Sequence, residues 1–139
     1  MKKKTFKRIM SGVFSTLMLA SGVCVDVNAT VNLPNIVEPM WDNVTAIRLD
    51  FDFDYNTVDL TINGKLGTTR IDATVEIYEK SGSRWIFIDE YTGGVNGTNL
   101  SLDCPFNPTT GKTYKAVLSG TVTRNGITED IDKETISTY

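Results

Sequence analysis

From Thr45 onward, apolar residues recur at every second position, and this period of two constrains the fold more than any other feature. Ile47, Leu49, Phe51 and Phe53 alternate with Arg48, Asp50, Asp52 and Asp54. Val58, Leu60, Ile62 and Leu66 share even numbers, whereas Ile71, Ala73, Val75 and Ile77 share odd ones. Arg84–Tyr91 is apolar on both parities. Leu100 and Leu102 alternate before Pro105, and Tyr114, Ala116, Leu118 and Val122 alternate after Gly111. Ile127, Ile131 and Ile136 punctuate a Thr-rich last run. Successive side chains of a strand point to opposite faces, so each run reads as a strand with one buried face. Seven runs within residues 45–139 match the spacing of an antiparallel sandwich. No window in this stretch has a helical period.

The connections are read from turn chemistry. Asn125-Gly126 lies between two strand-like runs and predicts a two-residue hairpin. Around Asn63-Gly64 the apolar parity does not change, so 57–67 reads as one strand interrupted by glycine, with a hairpin as the alternative. Thr92–Thr98 holds three glycines and reads as a flexible connection.

The segment Gly111-Lys112-Thr113-Tyr114 resembles the tyrosine-corner entry to a strand in immunoglobulin-like and fibronectin-like sandwiches. The resemblance covers roughly Thr45–Tyr139. It implies a seven-stranded antiparallel β-sandwich in which the Tyr114 ring is buried and its hydroxyl bonds the backbone upstream. The whole layout is also similar to small secreted Gram-positive bacterial proteins with one such domain and no assigned activity. Their ending, Gly-x-x-Tyr followed by Asn-Gly-x-x-Glu, stands here as Gly111, Tyr114, Asn125, Gly126 and Glu129.

Residues 1–29 read as a signal peptide. Five bases lie in Met1–Arg8, a charge-free stretch follows over Ile9–Val25, and Val27-Asn28-Ala29 supplies a cleavage site. The stretch is short for a membrane span of about 20 residues. Ser21-Gly22-Val23 before Cys24 fits a lipoprotein signal poorly. The expected location is therefore extracellular, by secretion, with no membrane association after cleavage. Residues 30–44, with Pro34 and Pro39, form a lead-in, and 45–139 form the domain.

Five of the 14 bases and one of the 17 acids lie in the leader, so the remainder is acidic. That balance argues against nucleic acid as a partner. The chain has no histidine, which removes the commonest general base and metal ligand. Cys104 would be the only thiol left, read as a small buried apolar residue. No cofactor and no metal site is expected, and no catalytic residue stands out.

Asp50, Asp52 and Asp54 would form a carboxylate ladder on one strand face, a solvated surface that discourages edge pairing. Their spacing is that of a calcium loop, but Tyr55 occupies its glycine position and Thr61 its glutamate position, which leaves a weak extracellular calcium site as the alternative to a solvated face.

The strongest functional lead is Arg84-Trp85-Ile86-Phe87-Ile88. A loop over 81–83 would put Trp85 and Phe87 in the core with Val75 and Ile77, as sandwiches commonly bury a tryptophan. A loop over 80–83 would put Tyr78, Trp85 and Phe87 together outside. One residue of register decides between them. The exposed arrangement would make Tyr78, Trp85 and Phe87 the ligand-binding residues of a non-enzymatic module that contacts an extracellular glycan or protein surface. A self-assembling structural protein offering the edge of Ile127–Ser137 is the alternative, and a small hydrolase a more distant one.

Overall fold

The computed structural model describes residues 40–139, and the leader and most of the lead-in lie outside the described residues. The seven runs become seven strands: β1 (Val44–Asp52), β2 (Thr57–Gly64), β3 (Thr68–Ser81), β4 (Arg84–Val95), β5 (Asn99–Pro105), β6 (Thr113–Arg124) and β7 (Ile127–Thr138). They pair antiparallel in two sheets, one ordered β1-β2-β5 and the other β4-β3-β6-β7. The described residues contain no helix. This is the all-β, seven-stranded sandwich that the period of two predicts.

The inner faces are the alternating apolar sets. Leu49, Val58, Leu60 and Ile62 of the three-stranded sheet meet Ile71, Val75, Ile77, Leu118 and Val122 of the four-stranded sheet. All of these are at most 1% exposed. Burying a side chain of this size stabilises by roughly 1.5–3 kcal/mol. At one end Phe51, Phe53, Phe106, Tyr114 and Tyr139 close the core with a cluster of rings, Phe53 stacking on Tyr139 at 4.8 Å. The Tyr114 hydroxyl accepts the Thr109 N–H at 2.7 Å and donates to Glu79 Oε2 at 3.2 Å. The buried ring and the bond to upstream backbone are the tyrosine-corner arrangement.

At the other end the chain entering β1 is fastened by polar contacts. The Glu129 carboxylate accepts the N–H groups of Asp42 and Asn43, each at 2.7 Å. Asn43 Nδ2 donates to the carbonyls of Val122 and Ile127. Trp41 packs half-buried against the core.

Several local readings change. The Asn125-Gly126 hairpin is present, with both residues at positive φ, 51° and 79°, as a type I′ turn requires. Around Asn63-Gly64 neither reading holds. The strand ends at Gly64, and Leu66, which shares its parity, stands 90% exposed in the connection to β3. Thr92–Thr98 is not a flexible connection, because β4 continues through Val95. Gly93 is there for a steric reason, since a Cβ at that position would collide with the Leu102 side chain of the facing sheet. Pro105 closes β5, an edge strand, where the missing N–H costs no ladder bond.

The carboxylate ladder is also rearranged. Asp54 lies in the turn after β1, and Asp52 Oδ1 accepts the N–H groups of Asp54 and Tyr55. Asp52 therefore shapes a turn. Asp50 pairs with Arg48 at 2.6 Å and stands in a cross-strand row with Asp59 and Asp103. Among the described residues, no acids or cysteines are grouped to hold a metal ion.

Candidate functional site

The register of β3 and β4 decides what stands outside. Ser81 pairs with Arg84, so the turn is the two residues Gly82-Ser83, shorter than either loop considered from sequence. Gly82 adopts a φ of 63°, the sign that the first position of a II′ hairpin requires. Trp85 then stands opposite Lys80 and Phe87 opposite Tyr78. A bulge follows at Ile88, after which Asp89 faces Ile77 and Tyr91 faces Val75.

The bulge resolves why Arg84–Tyr91 looked apolar on both parities. One extra residue exchanges the faces of everything beyond it. Before the bulge, Trp85 and Phe87 lie on the outer face. Beyond it, Tyr91 turns inward and packs against the core, its hydroxyl donating to the Pro105 carbonyl of the facing sheet. Burial raises the Tyr91 pKa, with Asp89 adding to the effect, so the phenol keeps its proton. The core reading of Trp85 and Phe87 is thereby corrected.

Tyr78, Trp85 and Phe87 are brought together on the outer face of the four-stranded sheet. Phe87, Tyr78, Lys115 and Ile136 form one cross-sheet row. Phe87 meets Tyr78 edge-on, with centroids 5.8 Å apart and planes at 77°. Phe87 is 53% exposed and Ile136 52%. The Lys115 ammonium lies 4.7 Å from the Trp85 centroid and 5.3 Å from that of Tyr78, and Lys80 approaches Trp85 to 5.8 Å. These distances fall within cation–π range. The sequence reading missed both lysines, because their place beside the rings follows from the β3–β6 register and the β3–β4 turn. The next row holds Glu90, Glu76, Val117 and Glu134, so an acidic band borders the rings.

Nothing at this face resembles a catalytic arrangement. The one thiol among the described residues, Cys104, is buried, and burial with nearby Asp103 pushes its pKa up to about 11. A thiol held protonated in this way is a poor nucleophile. Between β4 and the start of the β5–β6 connection, Ile88, Tyr91, Pro105, Phe106 and Asn107 line an open groove of about 280 Å³.

Seven antiparallel strands in a three-plus-four arrangement define a fibronectin-like β-sandwich. The chain is similar to a solved Fn3-like protein from Clostridium thermocellum at 25% identity, covering 68% of this chain and 88% of that one, with a TM-score of 0.33. No family model and no curated protein matches the chain. The strand order carries the fold assignment by itself.

Proposed function

We propose that this protein is a secreted, non-enzymatic module that binds the surface of another protein through the outer aromatic face of its four-stranded sheet. The observation that carries this reading is the row of Phe87, Tyr78 and Lys115 beside Trp85, placed on the outer face of the sheet and outside the core. Aromatic side chains anchor protein interfaces because they bury a large area with few rotatable bonds. The cations favour a protein surface over a glycan, the two ligand classes considered from sequence. A sugar ring stacks on an open aromatic face, and Lys115 already lies over the Trp85 face. A protein partner can add a carboxylate beside that ammonium and pack on Phe87 and Ile136 without displacing it.

The test is co-sedimentation of the purified chain with cell envelopes of the producing organism, before and after protease digestion of the envelopes. Saturable retention is expected, lost on digestion and lost with folded Trp85→Ala. Retention that survives digestion would assign the face to a glycan. Retention unaffected by Trp85→Ala would remove this face from the binding role.

A further inference from the structure

The two sheets present four edge strands: β1, β5, β4 and β7. An exposed edge recruits other strands unless charge or proline protects it. β1 carries Arg48, Asp50 and Asp52, and β5 carries Asp103 and Pro105. β7, the edge singled out from sequence for assembly, carries Asp130, Asp132, Lys133 and Glu134. β4 carries Arg84, Asp89 and Glu90, but between them Trp85-Ile86-Phe87-Ile88 is a run of four apolar residues, which none of the other three edges has, and Ile86, Phe87 and Ile88 are 49%, 53% and 38% exposed.

We infer that β4 pairs antiparallel with β4 of a second copy, about a two-fold axis at Phe87, joining two four-stranded sheets into one. The occupant is identified by charge. Arg84 stands at one end of the apolar stretch and Asp89-Glu90 at the other. Antiparallel apposition brings Arg84 of each copy to the end where Asp89-Glu90 of the other lie, with Asp89 on the inner face that Arg84 also occupies and Glu90 beyond the bulge on the outer one, whereas parallel apposition sets like charge against like. A stretch that complements itself under a two-fold rotation is what an isologous dimer needs.

The faces agree with this pairing. The two Phe87 rings stand opposite each other on the outer face. Ile86 faces the inner side, opposite Glu79, and Ile88 lines the groove beside Tyr91 and Phe106. Both isoleucines gain cover from the second copy. The bulge at Ile88 ends the regular edge, so the paired stretch is short. The dimer is therefore expected to be reversible, with a dissociation constant of about micromolar or weaker. Pairing also merges two outer faces into one platform carrying Tyr78, Trp85 and Phe87 from each copy. Only this last consequence rests on the proposed binding role.

The test is sedimentation equilibrium of the full chain from low to high micromolar concentration, with circular dichroism to show that each variant is folded. Wild type is expected to pass from monomer to dimer. Arg84→Glu sets three acids together at each end and is expected to weaken the dimer about tenfold. The triple change R84E/D89K/E90K reverses every charge and is expected to restore it. Phe87→Lys places two ammonium groups on the axis and is expected to leave a folded monomer. A wild type that stays monomeric, an Arg84→Glu change without effect, or a triple variant no tighter than Arg84→Glu would overturn the pairing. A monomer whose envelope binding still depends on Trp85 would sink the pairing alone, and a dimer that binds no envelope would sink the binding role alone.

Discussion

The outer faces of the two sheets are built from strands with the same inward pattern, yet they differ in kind. On the three-stranded sheet, Arg48, Thr61 and Ser101 form one row and Asp50, Asp59 and Asp103 the next. That is an ordinary solvated surface. On the four-stranded sheet, Phe87, Tyr78, Lys115 and Ile136 share a row beside Trp85. The core asks the same of both sheets, so packing alone does not explain the rings. The two-residue turn at Gly82-Ser83 sets Trp85 and Phe87 outside, and the bulge at Ile88 then turns Tyr91 in.

The largest effects are expected inside the sandwich. Leu60→Ala and Ile77→Ala remove fully buried side chains from the two sheets. Each is expected to lower the unfolding free energy in urea by about 2–5 kcal/mol. A loss well below that range at either position would show that its sheet adds little to the shared core. Tyr114→Phe keeps the ring but removes the acceptor for the Thr109 N–H and the donor to Glu79. A loss of about 1–2 kcal/mol is expected from the same urea titration.

Smaller changes sharpen the difference between the outer faces. Asp59→Asn removes the central charge from a row of three facing carboxylates. Like charges directly opposite destabilise a sheet, so a gain of about 0.2–1 kcal/mol is expected, shrinking in high salt. Asp132, on β7, has its pKa raised by burial and by Glu134. Its charged form is thus less favourable in the folded chain than in the unfolded one. That cost is fully present above the raised folded pKa and is relieved as the pH falls through it. Asp132→Asn is expected to raise the melting temperature at pH 7, with the gain fading as the pH falls toward the ordinary aspartate value of 3.8.

Alternation made the other six strands legible because each has a face to bury, whereas β4 was legible only as an apolar run, its faces exchanged at the bulge. Asn125-Gly126 was legible because both of its residues need positive φ, which those residue types tolerate. Gly93 and Gly94 misled because their reason lies in other strands: the Leu102 side chain blocks a Cβ at Gly93, and Asp72 and Arg70 crowd Gly94. Leu66 misled because parity continues through a turn as readily as through a strand. The three candidate aromatics could be named from sequence, but their face could not be fixed. Register depends on where the β3–β4 turn closes, and the bulge leaves no composition signal. The lysines over Trp85 were invisible for the same reason, since Lys115 lies on a strand far along the chain.

Trp85 stands on an outer face and is not part of the core. Urea unfolding of Trp85→Ala beside Ile77→Ala tests it directly. Trp85→Ala is expected to fold and to lose about 1 kcal/mol or less, the scale of a partly exposed cation–π contact. A loss of about 3–5 kcal/mol, the cost of emptying a buried tryptophan site, would contradict it and return Trp85 to the core.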